Sequence, residues 1–186
     1  MKGKNPNAQH QDQRVGIFFD IQNLYHSAKN LYNARINYRE LIKSLVDGRK
    51  LIRATAYVIK SEDIVDRDEK RAKAEGIKSE ASFFDALEKS GLELRVKDLQ
   101  VFHGGMKKAD WDVGLAVDAI RMSSFLDTVI IVAGDGDYVP LVEYLKWGLG
   151  RQVEVAAFGR STSSKLREAA DYFVNIEEIP KVILKR

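Results

Sequence analysis

Three short acidic clusters hold the side chains of this chain that are best suited to chemistry. They are Asp20 with Asn23 in Phe18-Phe19-Asp20-Ile21-Gln22-Asn23, Asp110 and Asp112 on either side of Trp111, and Asp135 with Asp137 in Val132-Ala133-Gly134-Asp135-Gly136-Asp137. The first and third begin where an apolar run ends. In an open parallel sheet the ligand crevice lies beyond the carboxyl ends of the strands, so acids at two such ends converge even when far apart in the chain. Converging carboxylates without a zinc-type ligand set suit a hard divalent cation, and through it phosphoryl chemistry. Each acid also has a structural alternative. Asp20 and Asp137 are placed to cap the helices that follow them, and Asp110 or Asp112 suits the first turn of a helix, where the exposed amides favour negative charge. A calcium loop is disfavoured because the long D-x-D-x-D-G pattern is missing, and a dinucleotide site because Gly134 to Val139 lacks a third glycine.

The elements that must position these acids follow from hydrophobic periodicity. Val15 to Phe19 is a buried strand ended by Asp20, followed by helices over about 23–31 and Tyr38 to Val46, the second closed by Asp47-Gly48. Leu51 to Ile59 is a second strand, and the charged run 61–78 is a loop or an exposed helix. Phe83, Phe84 and Leu87 mark the buried side of a helix ending at Gly91, and Leu92 to Phe102 reads as a third strand or a hairpin-like pair broken at Gly104-Gly105. A helix from Asp110 to about Ser123 presents Val113, Ala116, Val117 and Ile120, and leads into the strand Thr128 to Ala133. A helix over about 138–147, a strand over 151–158, a helix over about 163–170 and a short strand over 173–176 complete the pattern. Strands alternating with helices at this spacing predict an α/β fold with a doubly wound parallel sheet.

At 186 residues and 45% hydrophobic, the chain suits one domain with a full core. Residues 1–14 are polar and aperiodic and read as a flexible tail, 15–178 as the domain, and 179–186 as a C-terminal tail. The absence of cysteine excludes disulfides, thiolate-ligated zinc and thiol catalysis. No apolar stretch is long enough for a membrane span and no signal peptide is evident, so no membrane partner and a cytoplasmic location are expected. The formal charge is +3. Setting aside the five clustered acids leaves the rest of the chain near about +8, a basic surround that suits a nucleic-acid substrate as well as ordinary solubility.

The strand ending in Asp20-x-x-Asn23, the run Asp112-Val113-Gly114-Leu115-Ala116-Val117-Asp118 and the run Val132-Ala133-Gly134-Asp135-Gly136-Asp137-Tyr138-Val139-Pro140-Leu141 together resemble the NYN domains of the LabA-like group, within the PIN-like nuclease superfamily. The resemblance spans about Val15 to Ile176. It implies a Rossmann-like (PIN-like) three-layer sandwich around a central, mainly parallel β-sheet, with an acidic site that binds Mg²⁺ or Mn²⁺. Carried over residue by residue, the catalytic and metal-binding acids fall on Asp20, Asp112, Asp135 and Asp137, with Asn23 beside the first. The chain departs from the commoner Lys-Gly-Val-Asp lead-in by placing Ala109-Asp110-Trp111 before Asp112.

The function expected is metal-dependent hydrolysis of RNA phosphodiester bonds. The alternative is a non-catalytic nucleic-acid- or nucleotide-binding regulatory protein that keeps the acidic metal pocket. RNA is the expected partner, single-stranded rather than duplex, and a homodimer is among the expected states. Substrate contacts are expected from Asn23, Lys107, Lys108, Arg160, Ser161 and Lys165, against a reading as a helix cap and solvated charges. Tyr25, Trp111 and Tyr138 are candidates either to stack on bases or to pack against helices, while His26 and His103 read as surface or loop residues.

Overall fold

The computed structural model describes residues 11–60, 70–98, 100–101, 107–108 and 111–185. The strands are β1 (Arg14–Asp20), β2 (Ala34–Ile36), β3 (Lys50–Lys60), β4 (Glu93–Asp98), β5 (Gln100–Val101), β6 (Lys107–Lys108), β7 (Thr128–Val132), β8 (Gln152–Ala157), β9 (Tyr172–Asn175) and β10 (Ile183–Lys185). The α-helices are α1 (Ile21–Tyr32), α2 (Tyr38–Val46), α3 (Lys70–Lys89), α4 (Asp112–Met122), α5 (Val139–Glu143) and α6 (Ser164–Ala169).

Val15, Ile17, Phe18 and Phe19 of β1 and Val129, Ile130, Ile131 and Val132 of β7 are all buried. Strands apolar on both faces have to be covered on both, which is the condition for a parallel sheet with helices above and below. Six strands form that sheet in the order β4-β3-β1-β7-β8-β9, and every pairing is parallel. The chain starts in the middle, winds outward to β4, then returns to the other side of β1 and winds outward to β9. This is the doubly wound Rossmann arrangement, and its switch point lies between β1 and β7. Leu24, Ala28, Leu41, Ile42, Leu45 and Leu87 of α1 to α3 share one core with Ile17 and Phe19. Leu115, Ala119, Leu141, Val142 and Leu166 of α4 to α6 share the other with Phe18, Val129 and Ile131.

Several expected boundaries are corrected. Arg14 belongs to β1, not to a tail, because its amide and guanidinium both donate to Asp127 at the start of β7 (2.8 to 3.0 Å), which holds that carboxyl low, at about 2. The C-terminal stretch is not all tail either: Ile183–Lys185 pairs antiparallel with Ala34–Ile36, and Val182 is buried in the core. The last sheet strand begins at Tyr172. Of the two forms expected for Leu92 to Phe102, the third strand is found as β4, while β5 pairs antiparallel with β6 and not with β4. His10, His103, Gly104-Gly105 and Asp110 lie outside the described residues. The predicted helix over 138–147 is a composite of a 3₁₀ turn at Gly136–Tyr138, α5, and a π turn at Tyr144–Gly148. In α4 the phase differs from expectation. Leu115 and Ala119 face the core, whereas Val113, Val117 and Ile120 are exposed.

Glu154 sits inside β8 between Ile130 and Tyr172, fully buried. It is matched by Arg49, whose two terminal nitrogens reach its carboxylate at 2.6 and 3.1 Å and whose remaining donors bond the Val46 and Leu45 carbonyls at the end of α2. The arginine thus neutralises a buried acid and satisfies helix-terminal acceptors together. Glu154→Gln leaves that guanidinium buried and uncompensated. It is expected to lower the unfolding free energy by about 3–5 kcal/mol in denaturant titrations, far more than replacing both residues with apolar side chains of similar size.

Candidate functional site

Asp20 is the last residue of β1, so the buried strand fixes its backbone while the side chain emerges at the switch point. Its two oxygens are divided between two tasks. Oδ1 accepts from the Asn23 amide (3.0 Å) and caps α1, while Oδ2 lies 3.3 Å from the Tyr138 hydroxyl. Capping and site chemistry are therefore not alternatives for this residue. Asn23 in turn uses its side-chain oxygen to accept from the Gly134 amide (3.0 Å), which ties the end of β1 to the loop after β7.

That loop is packed from its far side as well. A Cβ on Gly134 would lie 3.3 Å from the backbone of Ser161 and Thr162, and one on Gly136 would lie 3.0 Å from Ser163 Oγ. The two glycines are required by this close approach and not by a positive φ. Asp135 follows with its Oδ1 accepting from the Asp137 amide at 3.0 Å, so Asp135 caps the 3₁₀ turn, in place of Asp137. The turn starts two residues earlier than the expected helix, which moves the cap from Asp137 to Asp135.

Asp112 stands in the first turn of α4, and Tyr138 Oη donates to its Oδ1 at 2.7 Å. Tyr138 is fully buried, so it joins carboxylates from β1 and α4 and is not free to stack on a base. One hydroxyl has one proton to give. The shorter bond takes it, leaving Asp20 Oδ2 with the weaker contact. Burial is the largest cause pushing the Asp20 carboxyl up, with the charges of Asp112 and Asp135 adding to it, against the lowering effect of its bonds from Asn23 and Tyr138. The same burial and the same acids push the Tyr138 phenol up, keeping it protonated.

These residues border one pocket of about 250 Å³, lined by Asp20, Gln22, Asn23, His26, Asp112 and Asp135 with Tyr57, Ile59 and Trp111 as its less polar wall. Asp137 is exposed and does not line it. Asp118 stands behind the wall, accepting from Tyr57 Oη at 3.0 Å and facing Arg95 at 3.6 Å. Arg160, Ser161 and Lys165 are exposed and do not line the pocket, and Ser161 Oγ bonds Ser27 Oγ of α1 at 3.0 Å. Lys107 and Lys108 form β6. His26 is a surface residue, as expected, and it also lines the pocket, whereas Tyr57 and Ile59 were not expected there. Their signal is register: Tyr57 is the partner of Asp20 across β1 and β3, so it reaches the same sheet edge.

The donor set consists of carboxylate, amide and phenol oxygens with one imidazole, which fits a hard cation. Among the described residues no three acidic or histidine side chains stand close enough to complete a cage unaided. No helix among the described residues is long and apolar enough to cross a membrane.

Comparison with known proteins agrees with this architecture. The family model for the NYN domain matches residues 14–177. By sequence the chain is similar to the Low amplitude and bright protein LabA of Synechococcus elongatus, with 26% identity over 109 residues, or 55% of this chain and 58% of that protein. The chain thus spans a little over half the length of that relative. By structure it is similar to a crystal structure of a protein of unknown function from Vibrio parahaemolyticus, with a TM-score of 0.79 and 29% identity over 94% of this chain and 98% of the other.

An acid whose carboxyl is raised on folding contributes stability below its unfolded value, 3.8, and loses it as pH rises through the folded value. Metal-free protein should therefore become less stable as pH rises above about 4 through this group. Asp20→Asn keeps a capping oxygen and removes the charge, so it should raise the melting temperature at neutral pH and flatten that pH slope, as read from thermal melts in chelator.

Proposed function

The chain belongs to the NYN domain family of PIN-like nucleases, and we propose from that premise that it hydrolyses RNA phosphodiester bonds at the acidic pocket between β1 and β7. The observation that carries this reading is the convergence of Asp20, Asp112 and Asp135, from three separate elements, on one pocket at the topological switch point. Asp20, Asp112 and Asp135 would hold Mg²⁺ or Mn²⁺, which when bound neutralises phosphate oxygens and acidifies a water.

The protein's own contribution is placement. Tyr138 holds Asp112 from within the core, and Asn23 keeps the Gly134 loop, and so Asp135, opposite Asp20. Asp135 is exposed and is suited to orient an incoming water, while Asp137 supplies charge outside the pocket. Tyr57, Ile59 and Trp111 keep one wall of the pocket poor in water. Lys107, Lys108, Arg160, Ser161 and Lys165 are the proposed phosphate contacts, which position the strand without reading its sequence.

A second reading is a nucleic-acid- or nucleotide-binding regulator without turnover. It is favoured by one observation: the Tyr138 hydroxyl already engages both Asp20 and Asp112.

Labelled single-stranded and structured RNAs incubated with Mg²⁺ or Mn²⁺ decide between the two. Cleavage by the parent that falls more than about a hundredfold in Asp20→Asn and in Asp135→Asn supports the enzyme. Cleavage that survives both substitutions removes this site, and a parent inert with either metal favours the binding protein. Separately, Lys107→Ala with Lys108→Ala should weaken RNA binding and flatten the slope of log affinity against log salt by about 1 to 1.5, measured by anisotropy titrations at several salt concentrations.

A further inference from the structure

We propose that Trp111 is a fixed platform on which one unpaired nucleobase stacks, beside the acids that would act on the adjoining phosphodiester. The inference rests on the nucleic-acid reading given above. It adds the residue that would select a strand whose bases are open.

Trp111 directly precedes Asp112. Its indole is held from several directions. Nε1–H donates to the Val58 carbonyl of β3 at 2.8 Å, so the one polar atom of the ring is already satisfied and the rest is free for an apolar contact. The ring meets Tyr57 edge to face, with centroids 5.4 Å apart and planes at 62°. It also lies against the first turn of α4 so closely that a Cβ on Gly114 would come within 2.4 Å of Cε3 and 2.7 Å of Cζ3. A side chain at position 114 would displace the ring, so glycine there is part of the seat. Lys97 Nζ stands over one face of the indole, 5.7 Å from its centroid, and so leaves stacking to the other face.

The ring remains only half-buried, and it lines the same pocket as Asp20, Asp112 and Asp135. Holding the indole in advance removes the ordering cost of a stacking contact. The pocket, about 250 Å³, has room for one ring system beside the indole. In a duplex each base is covered by its neighbours, so only an unpaired or extruded nucleotide can offer its face. Of the other aromatic candidates, Tyr138 is buried and Tyr25 does not line the pocket.

The chain has two tryptophans, and Trp147 is 82% exposed on the π turn, so Trp147→Phe isolates the Trp111 emission in folded protein. The probe is a fluorescein-labelled single-stranded RNA decamer with Ca²⁺ in place of Mg²⁺, so that binding is read without cleavage. An unlabelled decamer of the same sequence serves for the emission titration. The expected result has three parts: saturable quenching of Trp111 emission, an affinity about 5- to 100-fold weaker in Trp111→Ala with most of it restored in Trp111→Phe, and loss of both effects when the decamer is annealed to its complement. RNA bound by the parent with no quenching, with unchanged affinity in Trp111→Ala, or equally well as duplex overturns the platform while leaving the ribonuclease reading in place. A parent that neither binds nor cleaves RNA overturns that reading and the platform with it, and is recognised by the absence of binding before any substitution is made.

Discussion

A carboxylate at the tip of a fully buried strand is the constraint on which this structure turns. β1 lends Asp20 the rigidity of the sheet interior, and takes from it the hydration that would make its charge comfortable. Two further acids then arrive from α4 and from the loop after β7, which raises the repulsion. The neighbouring side chains are arranged to manage this. The Asn23 amide takes one oxygen of Asp20, the Tyr138 hydroxyl approaches the other while bonding Asp112, and the Asn23 side chain fastens the Gly134 loop. Those bonds fix positions without cancelling charge. What is left is an excess of negative potential in a shaped cavity, which is what a cation and a phosphodiester together would complete.

The opposite treatment of charge is found away from the pocket. Arg49 and Glu154 are cut off from water more completely, and they form a bidentate pair whose spare donors close the end of α2. That pair is complementary and adds attraction to the fold, while the pocket acids, although two of them cap the turns that follow, are like-charged and repel one another. Active sites commonly take this form, in which local instability is tolerated because the surrounding fold carries it.

Sequence patterning gave access to the elements that make their own signal. β1 and β7 are unbroken apolar runs, and α2 shows Leu41, Ile42 and Leu45 at helical spacing, so these appear where periodicity places them. β2 and β10 are three residues each and exist only through pairing with one another, a non-local fact that no window contains. In α4 the apolar residues occupy more than one face, and the packing of Leu115 and Ala119 against the sheet decides which is buried. The same division holds within the pocket. Asp20 and Asp135 announce themselves as acids at the ends of apolar strands, whereas Tyr57 enters through strand register and Tyr138 through a hydroxyl whose partners come from two other elements. The cap expected at Asp137 falls on Asp135 because the turn begins two residues earlier than the apolar pattern suggests.

The position of β1 also fixes when the pocket can come into being. Val15 has Thr128 as its partner on one side and Leu51 on the other, so the first strand made must wait for a stretch far along the chain before its second edge is paired. Sheets built from such distant pairings nucleate slowly, because the entropy of closing the long loop precedes any reward from contacts. During synthesis the half carrying Asp20 emerges well before the half carrying Asp135. Whatever ligand the crevice accepts can therefore bind only a chain whose two halves have already docked, and ligand binding becomes a report on completed folding.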